Sequence, residues 1–225
     1  MTDTSTRLAA FFDMDRTLLE VNSGTLWVRD EWREGRMSWS DTARALLYLL
    51  RYRAGISSGM DEAYRWAARR LSGFSVEEVE SITRAWFEAR ISDRVRPGAW
   101  QCLETHREAG HRIVLATSAP AHSAAAACEI FGIDDYIATE FEIRDGVFTG
   151  EIETMGLGDH KLSCAQNWAS REGIDLSASW FYTDSVTDSA LLEHVGHPVA
   201  VHPDGPLRRL ARRNGWPVVN WDTRD

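Results

Sequence analysis

Leu8-Ala9-Ala10-Phe11-Phe12 is an unbroken apolar run that ends in Asp13-Met14-Asp15. A short apolar run without polar alternation is what a strand buried on both faces requires. From Gly24 to Arg94 the period lengthens and helix signals take over. Helix starts are marked at Ser38-Trp-Ser-Asp41, at Asp61 before an alanine-rich stretch, and at Ser75-Val-Glu-Glu78, which has the form of a capping box. Val79, Ile82, Trp86 and Ala89 then recur at helical spacing and predict one apolar stripe. Gly55 to Gly59 and Ser72-Gly73 punctuate the segment. The expectation is a bundle of about four helices inserted directly after the first strand.

From Val95 the pattern changes to alternation. Pro97 opens a helix that runs to Gly110, Arg112 to Thr117 is a β-branched run, and Pro120 sits just inside a helix that Gly132 ends. Tyr136 to Ile143 and Gly146 to Ile152 are extended about an Asp145-Gly146 turn. A helix from His160 to Glu172, a strand from Trp180 to Asp184 and a helix from Val186 to His194 follow. A strand from Pro198 to His202, a basic helix from Pro206 to Asn214 and an edge strand at Val218 and Val219 close the pattern. Alternating strands and helices predict an α/β fold, a Rossmann-like parallel sheet covered by helices on both faces. Residues 1–19 and 95–225 are expected to form this core, with residues 20–94 as the helical insertion.

Composition narrows the function more than the fold. The 225 residues, 44% hydrophobic and 26% charged, suffice for a full core. A formal net charge of −9 argues against nucleic acid but leaves a small phosphorylated ligand open, because local cations decide that. The longest membrane-like stretch, Ala45 to Leu50, is far short of the ~20 residues a span needs. Met1 to Arg7 is polar and reads as no signal peptide. Cys102, Cys128 and Cys164 are well separated and form no CxxC, so a disulfide framework or zinc site is not expected and a cytoplasmic home is.

In open α/β sheets ligands bind beyond the carboxyl ends of the strands. The residues there are Asp13 and Asp15 on the first strand, Thr117 and Ser118 on the second, and Asp184 on a later one, with Asp188 four residues on and Lys161 at the start of a helix. Two carboxylates about 4 Å apart repel by roughly 4 kcal/mol at an effective dielectric near 20. Such pairs persist where a cation is bound or one acid keeps its proton. Each residue also has a plainer reading. Asp13 and Asp15 can be a solvated turn, Asp184 or Ser185 a helix cap, Thr117 and Ser118 helix-entry residues, and Lys161 a surface charge.

Together these residues resemble the haloacid dehalogenase superfamily of magnesium-dependent phosphohydrolases. Asp13-Met14-Asp15-Arg16-Thr17 is similar to its first motif, Leu115-Ala116-Thr117-Ser118 to the second, Lys161 to the third and Asp184-Ser185-Val186-Thr187-Asp188 to the fourth. The likeness spans Leu8 to Val219, and the inserted helices resemble the cap, of the C1 type, found in the phosphoserine phosphatase branch, subfamily IB. Asp184 to Pro203 is similar to small phosphatases of that branch, some histidinol-phosphatases among them.

The resemblance implies a set of roles. Asp13 is the nucleophile that forms an aspartyl-phosphate, and Asp15 is the general acid and then base. Mg²⁺ is held by Asp13, the Asp15 carbonyl and Asp184. The Met14 amide, Thr117 and Ser118 hold phosphoryl oxygens, Lys161 neutralises charge, and Asp188 steadies Lys161 and the metal's waters. The implied partner is a small phosphorylated metabolite, the chain a monomer or homodimer. Transfer to another hydroxyl, dehalogenation and a non-catalytic binding role are the alternatives. Two positions depart from the branch. Asn22 stands where it has a Glu nine residues after the nucleophile, with Glu20 nearby as a substitute, and Thr187 stands where Asn is favoured. Arg29, Trp32, Arg33, Arg65 and Trp66 in the insertion are either a bundle with solvated basic faces or the surface that reads the substrate.

Overall fold

A computed structural model describes residues 7–53 and 60–222. The expected break at Gly55 to Gly59 lies outside them. The first strand, β1 (Ala9–Phe12), has all four side chains fully buried. Ala10 and Phe12 point into one apolar layer and Ala9 and Phe11 into the other, so the strand is the wall between two cores. Full burial of a phenylalanine contributes about 1.5–3 kcal/mol, which makes Phe11 and Phe12 strong anchors for the centre of the sheet.

Six more strands complete the sheet: β2 (Arg112–Pro120), β3 (Asp135–Arg144), β4 (Val147–Thr154), β5 (Trp180–Thr183), β6 (His197–Val201) and β7 (Val218–Val219), in the order β4-β3-β2-β1-β5-β6-β7. All neighbours are parallel except β3 and β4, the expected hairpin about Asp145 and Gly146. The helices between β1 and β2 are α1 (Ser23–Arg33), α2 (Trp39–Arg53), α3 (Met60–Leu71) and α4 (Val76–Arg90). Then come α5 (Pro97–Glu108), α6 (Ala121–Phe131), α7 (Asp159–Glu172), α8 (Ser189–Leu192) and α9 (Gly205–Asn214). Helices α5 and α6 cover one face of the sheet, and α7, α8 and α9 the other. Strand order reverses at β1, between β2 and β5, so the crevice above its carboxyl end is where this architecture opens a ligand site. No helix among the described residues is long and apolar enough to cross a membrane.

Several local expectations are corrected. Strand β2 does not stop at Thr117 but runs to Pro120, which pairs with Thr139 after a register shift beyond Ala116. Thr117 and Ser118 therefore lie inside a strand, and Pro120 precedes α6 at its cap position instead of sitting inside it. The helix expected from Val186 to His194 is a tight 3₁₀ turn, Val186–Asp188, followed by the single turn of α8. Ser185 causes the tightening, because its hydroxyl accepts from Thr187 N and its carbonyl from Asp188 N. The stripe on α4 is also rotated. Val79, Thr83 and Phe87 are buried, whereas Ile82 is 51% exposed and Ala89 is exposed. Thr83 tolerates burial because its hydroxyl donates to Val79 O at 2.7 Å.

Among the contacts that attach the four inserted helices to the rest of the chain, three are made by backbone pairing or apolar packing. Leu19 and Val95 pair as an antiparallel bridge where the chain enters and leaves. Phe87 of α4 and Ile91, which caps its end, join the apolar layer on the α5–α6 face. The turn between α3 and α4 adds to the exposed edge of β4, with Gly73 N donating to Phe148 O, Phe148 N to Phe74 O and Val76 N to Gly146 O, each at 3.0 Å. Ala68 and Val79 pack on Phe141 and Phe148 beneath that edge.

Candidate active site

At Phe12 the strand ends, and the next five residues decide the chemistry. Asp13 N still donates to Tyr182 O at 2.9 Å, so the Asp13 backbone is the last one fixed by the sheet. Met14–Leu18 then wind into a wide turn in which Arg16 takes φ 61°, a left-handed conformation that is uncommon for a side chain of its size. The turn is held from outside: Arg16 N donates to Val21 O, Leu19 N to Met14 O, and the Arg96 guanidinium to Arg16 O. Asp13 and Asp15 are thus not neighbours on one strand face. The turn sends them in different directions.

The Asp13 carboxylate is buried among charges. Lys161, 1% exposed, places its ammonium 3.2 Å from Asp13 Oδ1 and 2.8 Å from Asp188 Oδ1. Asp188 Oδ2 accepts from the Thr183 hydroxyl at 2.7 Å, and Thr17 donates to Asp13 Oδ2 at 3.4 Å. Among the described residues Asp188 Oδ1 has no hydrogen bond, and its ion pair with the ammonium balances it. Lys161 reaches this point from the first turn of α7, behind Gly158 at φ 57°, and is no surface charge. Burial pushes the Asp13 carboxyl up to about 7; Lys161 pulls it down, and Asp188 and Asp15 push it up.

Asp184 follows the last residue of β5, beside β1. Its own backbone carbonyl accepts from Asp204 N at 2.8 Å, and Asp204 Oδ2 accepts from Val186 N at 3.1 Å. Burial raises the Asp184 carboxyl well above the usual range, helped by Asp13 and Asp188. Among the described residues, no hydrogen bond or ion pair engages its side chain.

Asp15 is held differently. Ser23 N donates to Oδ1 and the Asn22 side-chain amide to Oδ2, both at 2.8 Å. Burial raises this carboxyl too, with the Ser23 N–H pulling it down. Thr117, two residues beyond the partner of Phe12, is buried and accepts from Ala119 N at 3.1 Å. The Ser118 carbonyl accepts from Thr139 Oγ1 at 2.9 Å and from Tyr64 Oη of α3 at 2.6 Å. Met14 is fully buried beside them.

The donor set has the chemistry of a divalent-cation site. Asp13 is a buried carboxylate and Asp184 a half-buried one, the two repel one another, and Lys161 is the one cation paired with Asp13 among the described residues. No group of three or more His, Cys, Asp or Glu side chains stands ready as ligands among those residues. Two carboxylates, a backbone carbonyl and water suit Mg²⁺, a hard ion that keeps several waters and takes only one or two carboxylates. The residues fit the ion.

Asp13, Asp15, Thr117, Ser118 and Asp184 sit at or beside the carboxyl ends of β1, β2 and β5, Asp188 follows in the next turn and Lys161 reaches them from α7, whereas Arg29, Trp32, Arg33, Arg65 and Trp66 lie on α1 and α3. Glu20, the nearby acid in place of the branch's Glu, is exposed, and Asn22 itself holds Asp15. Four contributors were missed: Ser23, Tyr64, Thr183 and Asp204. Thr183 ends a strand and Asp204 precedes a Gly-Pro helix start, so both carried a local signal. Ser23 and Tyr64 carried none.

The model of the haloacid dehalogenase-like hydrolases matches residues 10–193. A protein of Streptomyces azureus named for inhibition of morphological differentiation is 31% identical over 96% of this chain and 79% of its own. A histidinol-phosphatase of Neisseria meningitidis is 29% identical over 94% of this chain and 98% of its own. A phosphoserine phosphatase of Mycobacterium tuberculosis is 31% identical over 93% and 70%. Among solved structures, a Bordetella pertussis protein of unknown function superposes with a TM-score of 0.85 at 31% identity, covering 96% of this chain and 99% of that one. A phosphoserine phosphatase caught as a phospho-aspartyl analogue gives 0.68 at 18% identity, covering 98% and 96%, and is similar in fold. The chain belongs to the haloacid dehalogenase-like hydrolase family, among its phosphoserine phosphatase-like members.

Proposed function

We propose that the protein is a Mg²⁺-dependent phosphomonoesterase that cleaves a small phosphorylated metabolite through an aspartyl-phosphate on Asp13. The observation that carries this reading is the Asp13 carboxylate at the end of a buried central strand, 3.2 Å from the Lys161 ammonium and beside Asp184. Asp13, the Asp15 carbonyl and Asp184 would hold the ion, which when bound offsets the charge of the phosphoryl oxygens.

The chain's own residues do the rest. One oxygen of ionised Asp13 attacks phosphorus as the bond to the leaving oxygen breaks, and the bond's electron pair stays on that oxygen. Asp15 gives it a proton, so the alcohol leaves neutral. Water then attacks the acyl phosphate, Asp15 takes the water's proton, and inorganic phosphate and free Asp13 result. Lys161 stands against the charge on Asp13, and Asp188 keeps Lys161 in place. Thr117, the Ser118 N–H and the Met14 N–H hold the phosphoryl oxygens.

Residues 20–94 act as the cap over this site, in our reading, and carry the surface that reads the non-phosphate part of the substrate. The names of the relatives support an amino-acid or amino-alcohol phosphate, with phosphoserine and histidinol phosphate the first to test. The three cysteines are free, in keeping with a cytoplasmic enzyme.

Hydrolysis of 4-nitrophenyl phosphate tests the reading. Activity should need Mg²⁺ and fall by roughly four orders of magnitude or more in Asp13→Asn, as removal of a nucleophile does. An undiminished variant would overturn the assignment.

A further inference from the structure

Asn22 faces two ways. Its Oδ1 accepts from Thr25 N at 2.8 Å and from Thr25 Oγ1 at 2.7 Å, capping the first turn of α1. Its Nδ2 donates to Asp15 Oδ2 at 2.8 Å. The amide cannot be turned over, because its oxygen would then face a carboxylate and its nitrogen would face a backbone N–H. The next residue, Ser23, gives its own N–H to Asp15 Oδ1 at 2.8 Å. Two donors from consecutive residues thus grip the two oxygens of one carboxyl and fix its plane. Asp15 cannot rotate about its side-chain bonds without breaking one of them.

We infer that Asn22 is a positioning residue for proton transfer: the inserted helix α1 aims the Asp15 carboxyl at the leaving oxygen through the Asn22 side chain. This rests on the phosphatase reading and deepens it. The insertion then takes part in the acid step as well as covering the site. The cap bonds to Thr25 hold the Asn22 side chain in one rotamer, so the aim is built into the helix start. A group 1 Å out of line loses much of its effect on a proton transfer.

The leaving group separates this role from a structural one. Glycerol 2-phosphate releases a strongly basic alkoxide that needs a proton, whereas 4-nitrophenyl phosphate releases a weakly basic phenolate that needs little help. Asn22→Ser and Asn22→Thr both keep a side-chain oxygen to cap Thr25 N, and both remove the amide donor to Asp15. With Mg²⁺ present, kcat on glycerol 2-phosphate should fall about tenfold or more in each, with KM little changed, and the fall on 4-nitrophenyl phosphate should be several times smaller. Asp15→Asn should show the same pattern more strongly. Thermal melts of all variants report folding.

Equal losses on the two substrates, or losses that track melting temperature, would mark Asn22 as a helix cap and overturn the inference. So would variants with no loss, or a wild type that cleaves the aryl ester but no alkyl ester. A wild type that cleaves neither overturns the phosphatase reading itself, and this inference with it.

Discussion

Asp13 and Asp15 are the same residue type, two positions apart, yet the molecule holds them by opposite means. Asp13 is gripped by charge that comes from far along the chain: Lys161 of α7, backed by Asp188, which Thr183 of β5 steadies. Asp15 is gripped by two neutral N–H donors only seven and eight residues away, from the start of the inserted α1. The first arrangement suits a group that must stay ionised beside a phosphate. The second suits a group that must exchange a proton in a fixed direction, with Arg16 and Lys161 pulling on its charge less than the Ser23 N–H does. The wide turn at Met14–Leu18 makes the difference, because it ends the strand between them.

The strongest way to break the comparison is to remove the charge on the Asp13 side. Lys161→Met should cost about 3–5 kcal/mol of unfolding free energy, because it leaves two buried carboxylates without their shared cation. Adding Asp188→Asn to it should recover part of the loss, since one of the stranded charges is then gone. Urea denaturation without divalent ions measures both. A Lys161→Met protein as stable as wild type would mean that the pair is held by something other than its charge.

Much of this was legible in advance, and the reason is local. Strand-end acids announce themselves by sequence position, so Asp13, Asp15 and Asp184 were found with their places in the sheet. The helix start at Ser75 formed as an N-cap, with Glu78 N donating to Ser75 Oγ at 3.2 Å, because caps depend on a few adjacent residues. What could not be read depends on distant partners. Strand β2 outruns Thr117 because β3 pairs with it again at Thr139. The burial of Ile82 was misplaced because the side of α4 that meets α6 and β4 is set by docking, and propensity says nothing of docking. Asn22 stands out in the sequence as a departure, but its bond to Asp15 depends on how the Met14–Leu18 turn brings the two together.

A second and smaller effect comes from pH. In the ion-free protein the folded Asp13 carboxyl, pushed up to about 7, keeps a proton that the unfolded chain has already lost near its ordinary 3.8. The folded state then binds more protons than the unfolded one, so the slope of stability with pH is negative for this group. Its contribution is present below about 4 and is lost as pH rises to about 7. Asp184, raised by burial and by Asp13, adds to the same trend. Mg²⁺ needs ionised ligands, so its stabilising effect should be larger at pH 8 than at pH 5. Melting curves with and without Mg²⁺ at the two values check it, and an equal shift at both would remove Asp13 and Asp184 from the ion's ligands. Asp15, restrained by the Ser23 N–H, has a smaller part in the trend.

The smallest effect concerns the insertion's other hold on the core. Tyr64 of α3 donates to the Ser118 carbonyl at 2.6 Å, and Thr139 donates to the same oxygen at 2.9 Å while accepting from Gly156 N at 3.1 Å. Tyr64→Phe removes one donor from that carbonyl and keeps the one from Thr139, so it should cost only about 1 kcal/mol, near the net value of a single hydrogen bond. Thr139→Val also strands the buried Gly156 N–H and should cost about 2 kcal/mol. Because both donors serve one oxygen, the double variant should lose more than the two losses added, by about 0.5 kcal/mol or more. Simple additivity in urea denaturation would show that the two bonds are independent. The insertion would then be coupled to the core chemistry through Asp15 and not through Ser118.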